Sequence, residues 1–133
     1  MSPLAETIRS MKYDDKGLLT AVVVDAETKD VLMVAFMNDK ALLDTIRTGK
    51  THFWSRSRQK YWMKGESSGH VQDVKAVYAD CDKDAVVVEV IQHGGACHEG
   101  YRSCFYRRLS ESGELEIIAE KVFDPENVYK KGR

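Results

Sequence analysis

Three cysteines with polar neighbours are the residues of this 133-residue sequence that most directly suggest chemistry. They are Cys81, Cys97 and Cys104, and carboxylates, imidazoles, glycines and an arginine lie beside them in the sequence. Structural cysteines usually lie among apolar residues instead. Three thiolates without an obvious fourth protein ligand predict a zinc ion with an open coordination position, the arrangement that distinguishes catalytic from structural zinc.

The segment around Cys81 adds three carboxylates. Asp80, Asp82 and Asp84 alternate along it, and in a curled loop their oxygens could converge on a hard cation. The intervening thiol would then serve a softer metal. The alternative is a solvated acidic turn between two strands.

Two glycines precede Cys97, and His98 follows it. Glycine lets the backbone turn sharply and approach a ligand closely. His98 would then lie beside the metal, where it is our candidate catalytic residue as general base or acid. Alternatively, His98 or His93 is the fourth zinc ligand, which would make the site structural.

A basic and aromatic stretch is the candidate substrate-binding segment. Arginine forks and serine hydroxyls bind phosphate oxygens, a tryptophan ring can stack on a base, and the glycine-bounded loop 65–69 offers backbone N–H groups. The alternative is a half-buried strand with a charged outer face. The predicted substrate-binding residues are Trp54, Ser55, Arg56, Ser57, Arg58, Lys60, Lys64, Glu66 and Ser67.

Composition limits the class of protein. The net charge of −1 argues against binding nucleic acid by bulk electrostatics, and no apolar run approaches the roughly 20 residues that span a membrane. The N-terminus lacks a signal-peptide pattern. Because an odd number of cysteines cannot pair completely within one chain, we expect reduced thiols and a cytoplasmic location.

The pattern of apolar residues predicts one α+β domain over residues 1–133, with a mainly antiparallel sheet and a few short helices. Helices are expected over residues 4–11 and 39–48, the second between Asn38 as cap and Gly49 as stop. Strands or extended segments are expected over residues 18–24, 31–37, 51–57, 61–64, 71–79, 85–92, 104–109 and 115–119.

Three segments together resemble one family. FWSRSRQKYWMKGESSGH, DCDKD and QHGGACHEGYRSCFYR, in this order, are similar to phosphoribosyl-AMP cyclohydrolase of histidine biosynthesis, over roughly residues 18–109. The resemblance implies a homodimeric, zinc- and magnesium-dependent hydrolase that opens the adenine ring of 1-(5-phosphoribosyl)-AMP between N1 and C6. We expect the form without a second, pyrophosphohydrolase domain.

The resemblance also implies roles for the metal-binding candidates. Cys81, Cys97 and Cys104 match the zinc ligands, which in the family are shared between the two chains of the dimer, so the metal sites lie at the interface. Asp80, Asp82 and Asp84 match the magnesium ligands. The alternatives are a non-catalytic zinc-binding domain, a zinc hydrolase of another nucleotide or nucleoside, and a nucleic-acid-binding module, which the net charge disfavours.

Overall fold

The computed structural model describes residues 2–129. Met1 and residues 130–133, which the predicted domain includes, lie outside the described residues. The described elements follow one another along the chain as α1 (Pro3–Arg9), β1 (Leu19–Asp25), β2 (Val31–Met37), α2 (Asp39–Thr48), β3 (His52–Ser55), β4 (Lys60–Met63), β5 (Gln72–Ala79), β6 (Ala85–Gln92), β7 (Arg107–Leu109), β8 (Leu115–Ile117) and α3 (Pro125–Tyr129).

The central sheet has four strands in the order β2-β1-β6-β5. The pairs β1–β2 and β5–β6 are antiparallel, whereas the two central strands β1 and β6 run parallel. The strands β3 and β4 form a separate antiparallel ribbon, and so do β7 and β8. The structure therefore confirms an α+β fold with mainly antiparallel sheets and a few short helices.

Helix α2 has the boundaries that its end residues predict. The Asn38 side chain accepts a hydrogen bond from the Ala41 N–H over 2.8 Å, and Gly49 ends the helix in the left-handed region at φ 75°. Thr45, fully buried on the inner face, accepts a hydrogen bond from the His52 N–H over 2.9 Å. The helix thereby fixes the start of β3, the first strand of the candidate substrate-binding ribbon.

The core lies against the two central strands. Burial alternates along β6, so that Val88 and Val90 are fully buried together with Val23 of β1. Leu32, Met37 and Phe53 are also fully buried. Burying each such side chain contributes about 1.5–3 kcal/mol, so this core supplies the rigid frame from which the functional loops leave.

The β7–β8 ribbon is apolar on its outside. Leu109, Leu115 and Ile117 are 70%, 57% and 63% exposed, and the two strands pack chiefly against each other within the described chain. Clustered exposed apolar side chains are typical of surfaces that contact another molecule. None of the described helices is long and apolar enough to cross a membrane.

Candidate active site

The loop between β6 and β7 brings two of the three cysteines together. Cys97 is buried, whereas Cys104 keeps an exposed edge. Desolvation of the Cys104 thiol and the negative charge of the neighbouring Cys97 raise the pKa of Cys104 to about 11. Such a thiol stays protonated at neutral pH until a bound metal displaces the proton. The Glu99 N–H donates to the Cys97 sulfur over 3.4 Å.

Backbone hydrogen bonds hold this pair of thiols in place. The Cys97 N–H donates to the Tyr101 carbonyl over 3.1 Å, and the Cys104 N–H donates to the Leu32 carbonyl, near the start of β2, over 2.7 Å. A side chain at Gly95 would place its Cβ 2.6 Å from the Tyr101 carbonyl oxygen. The close return of the loop therefore requires glycine at this position.

A second anchor ties the loop to the turn between β1 and β2. The Arg102 guanidinium donates to Asp25 over 2.8 Å and to Asp30 over 3.1 Å. The hydrogen bond from the Thr28 N–H, which has the largest effect, and the hydrogen bond from Arg102 lower the pKa of Asp25. Arg102 thus helps to hold the cysteine loop in place.

The three aspartates lie together in the turn between β5 and β6. Asp80, Asp82 and Asp84 each place a carboxylate oxygen within 4.8 Å of the others, and all three are exposed. The Asp80 carboxylate accepts hydrogen bonds from the N–H groups of Asp84 and Ala85, over 3.0 and 3.3 Å. The hydrogen bond with Asp80 raises the pKa of Asp84. This cluster offers the oxygen ligands that a hard cation requires.

Cys81 lies in the same turn but away from the other two thiols. It is exposed, and within residues 2–129 the three thiols do not all lie within 4.8 Å of one another. The turn precedes Ala85 at the start of β6, whereas the Cys97 loop follows Gln92 at its end. Eight strand residues span roughly 25 Å. The described chain therefore does not assemble the three thiols by itself.

A cleft of about 650 Å³ lies between the β3–β4 ribbon, the loop of residues 65–69 and the cysteine loop. Its walls carry three cationic side chains and several hydroxyls, a composition that suits phosphate groups. The structure places seven of the nine predicted substrate-binding residues and the predicted catalytic histidine on these walls: Ser55, Ser57, Arg58, Lys60, Lys64, Glu66, Ser67 and His98.

The other two predicted substrate-binding residues do not line the cleft. The Arg56 guanidinium lies 3.8 Å from the centre of the Phe36 ring, and Trp54 is paired with Tyr61 on the opposite face of the ribbon from Ser55. Alternation of side chains along β3 explains the direction of Trp54, whereas Arg56 lies in the turn that follows β3. Their contact with substrate stays a prediction that would require a change of side-chain position.

Four cleft residues lie outside the nine predicted substrate-binding residues: Trp62, Met63, Gly65 and Ser68. Gly65 and Ser68 belong to the loop 65–69, which was predicted to offer backbone N–H groups. Trp62 is the largest of the four and packs on Phe53 with 5.0 Å between ring centres. It lies two residues after Lys60, so strand alternation already places both on one face. Strand alternation from Lys60 was therefore sufficient to predict Trp62 as a substrate-binding residue.

The two histidines of the cysteine loop have different surroundings. His98 lines the cleft with a side chain that is 73% exposed, and its Nε2 lies 3.4 Å from a Glu99 carboxylate oxygen. The His93 Nε2 instead lies 2.6 Å from Asp73. The hydrogen bond from Lys50, followed by the one from His93, lowers the pKa of Asp73 to about 2. His93 is therefore engaged away from the thiols, while His98 is free to meet a ligand in the cleft.

A cationic, hydroxyl-lined cleft beside paired thiols and a histidine is typical of a metal-assisted enzyme that acts on a phosphorylated small molecule. Comparison with known proteins narrows this class. The family model for phosphoribosyl-AMP cyclohydrolase matches residues 33–106. The chain belongs to the phosphoribosyl-AMP cyclohydrolase family.

Individual relatives match most of the chain. The phosphoribosyl-AMP cyclohydrolase of Pelotomaculum thermopropionicum is 57% identical over 92% of this chain and 95% of its own length. That of Methanothermobacter thermautotrophicus is 60% identical over 88% of this chain and 86% of its own length. The phosphoribosyl-AMP cyclohydrolase of Chlorobium phaeobacteroides is 52% identical over 92% of this chain and 89% of its own length.

Proposed function

We propose that this chain hydrolyses the adenine ring of 1-(5-phosphoribosyl)-AMP between N1 and C6. The product is the phosphoribosylformimino-aminoimidazole carboxamide ribotide, formed in the third step of histidine biosynthesis. Membership of the family makes the chain a hydrolase of that pathway. The observation that carries the proposal is the cationic cleft, which is lined by His98 and by Lys64. The Lys64 ammonium contacts the Ala96 carbonyl next to Cys97. The free thiols of the chain suit a cytoplasmic site of action.

The metal that fits the thiol pair is zinc. Cys97 and Cys104 offer two adjacent soft ligands, and Cys81 of a second copy would supply the third. A zinc ion bound there supplies a Lewis acid that makes a water molecule more acidic. Since thiolate ligands donate negative charge, they weaken this acidification relative to neutral ligands, and a neighbouring base is required.

The position of Cys81 supports a homodimer. Its thiol is exposed and lies in the turn at the far end of β6 from the thiol pair, so a second copy is the simplest source of a third thiolate. The exposed apolar side chains of the β7–β8 ribbon support self-association. The turn that donates Cys81 would carry its three aspartates to the same interface.

Asp80, Asp82 and Asp84 are the proposed magnesium ligands. Their oxygens form an exposed cluster, and magnesium prefers carboxylates together with water and phosphate oxygens. A dimer that delivers Cys81 to the cleft also delivers this cluster next to the bound nucleotide. The carboxylates would then help to position a phosphate group through the cation.

The residues of the cleft divide the remaining tasks among themselves. Arg58 and Lys60 bind phosphate oxygens, and the ring of Trp62 forms a wall for the purine. His98 accepts a proton from the attacking water and holds it at an imidazole nitrogen. Its exposure on the cleft wall leaves that nitrogen accessible to water and substrate.

Removal and return of metals test the proposed function. We expect zinc- and magnesium-loaded protein to open the ring of 1-(5-phosphoribosyl)-AMP, a reaction that ultraviolet absorbance can follow. Chelation of the metals should abolish turnover. Zinc returned to protein that still holds magnesium restores turnover, while magnesium returned without zinc does not. A folded, fully metal-loaded protein without turnover would refute the proposal.

The His98→Ala variant is expected to bind zinc normally and to lose turnover. Removal of a general base lowers kcat by about 10²–10⁴-fold, which steady-state kinetics together with zinc analysis would measure. His93→Ala is the matched control, since His93 lies on the same loop but contacts Asp73. A kcat of His98→Ala equal to that of the control would exclude the proton-transfer role.

A further inference from the structure

Lys64 differs from the other cations of the cleft. It follows β4 directly, and its side chain is half-buried, whereas Arg58 and Lys60 are exposed. The Lys64 ammonium donates a hydrogen bond to the carbonyl of Ala96. Because Ala96 immediately precedes Cys97, this contact joins the substrate-binding ribbon to the backbone that carries the thiol pair.

The charge of Lys64 faces the thiols rather than a carboxylate. Within residues 2–129 no carboxylate lies within ion-pair distance of its ammonium. Burial lowers the pKa of Lys64, while the negative charges of Cys104 and Cys97 raise it. The ammonium is therefore coupled electrostatically to both sulfur atoms.

We propose that Lys64 is a positioning residue for the metal-binding thiols and not a phosphate ligand. Its ammonium fixes the Ala96 carbonyl, so Cys97 is held beside Cys104, and its charge offsets negative charge on the thiolates. A divalent zinc ion with three thiolates carries one net negative charge, which one ammonium cancels. This inference rests on the proposed function, which assigns Cys97 and Cys104 to zinc.

Such a counter-charge has a clear physical benefit. An anionic metal centre within a partly desolvated loop is costly unless an opposite charge lies nearby. Exposed Lys60 and Arg58 are better placed for a phosphate, because they can follow a mobile ligand without losing a bond to the protein. The half-buried ammonium of Lys64 is already occupied by the Ala96 carbonyl. The cleft therefore separates one structural cation from two that are free to bind substrate.

Zinc affinity of three variants tests the proposal. Lys64→Met removes the charge and the hydrogen bond, Lys64→Arg keeps the charge, and Lys60→Met is the matched cleft control. Competition with a chromophoric chelator at one fixed pH measures zinc affinity. We expect a loss of about 10–100-fold in Lys64→Met, as for other residues that support metal ligands. Lys64→Arg should recover most of the affinity, and Lys60→Met should retain it.

Cobalt and phosphate provide readouts that a general loss of stability would not mimic. The thiolate-to-cobalt charge-transfer bands of Co²⁺-loaded protein should shift in Lys64→Met and return toward wild type in Lys64→Arg. Inorganic phosphate should bind Lys64→Met as it binds wild type, and bind Lys60→Met more weakly. If Lys64→Met does not fold, Lys64→Gln replaces it, and weaker zinc binding by Lys64→Gln than by Lys64→Arg supports the proposal.

Two results would overturn it. Equal zinc affinity in wild type and the uncharged Lys64 variant, with weakened phosphate binding, would make Lys64 a substrate ligand and reject this inference alone. A wild-type protein that binds no zinc would reject the zinc assignment of the proposed function, and this inference with it. The wild-type titration therefore distinguishes the two failures.

Discussion

Replacing Cys97 with serine is expected to abolish both zinc binding and turnover. Serine is close to cysteine in size, but its hydroxyl is a poor zinc ligand at neutral pH, so the pair with Cys104 is lost. A metal that contributes several kcal/mol to catalysis is worth roughly a thousandfold or more in rate. Zinc content by atomic emission and turnover of the nucleotide would measure both losses.

The structure indicates that this variant still folds. The Cys97 backbone is held by Tyr101, and its sulfur accepts a hydrogen bond from the Glu99 N–H. A serine hydroxyl can accept that bond. Thermal unfolding of the zinc-free variant and zinc-free wild type should therefore coincide. Normal zinc content and turnover in Cys97→Ser would contradict the assignment of Cys97 as a ligand.

Two inactive variants are expected to restore activity when they share a dimer. In a dimer of one Cys81→Ser chain and one Cys97→Ser chain, one site keeps an intact thiol pair and receives an intact Cys81 from the other chain. The second site carries both substitutions. The isolated mixed dimer should therefore have about half of the wild-type activity per chain, and a randomly paired mixture about a quarter. Co-expression with two affinity tags, followed by tandem purification, isolates the mixed dimer for assay.

The Cys81→Ser/Cys97→Ser double variant is the control for this experiment. Paired with a wild-type chain, it leaves neither site with three thiols, so the mixed dimer should be inactive. If each zinc site were built from one chain alone, the wild-type chain would stay active in the dimer with the double variant. The two single variants would then not complement each other. Either of those observations would contradict a zinc site built from two chains.

Local sequence signals determine most of the elements. Asn38 and Gly49 mark the ends of α2 because a cap and a left-handed stop are properties of a few neighbouring residues. The hairpins β1–β2 and β5–β6 follow from apolar runs separated by polar turns. The three segments of the family resemblance are likewise readable from the chain, and the matches to relatives confirm that identification.

The parallel pairing of β1 with β6 was decided by tertiary structure alone. About sixty residues separate the two strands, and no local pattern specifies which distant strands become neighbours. This pairing sets the direction of β6, and with it the ends of the sheet from which the Cys81 turn and the Cys97 loop leave. The sequence predicted three thiol ligands, but the sheet places only two of the three thiols together within the described chain.

The direction of each cleft side chain was also decided by the fold. Arg56, Lys60 and Lys64 all suit phosphate by residue type. The register of the ribbon and the packing around it turn Arg56 onto Phe36, leave Lys60 in the cleft and bring Lys64 to Ala96. Residue type and spacing thus determined the family and the candidate chemistry. Strand register and long-range packing decided which side chains meet, because those contacts join residues far apart in the chain.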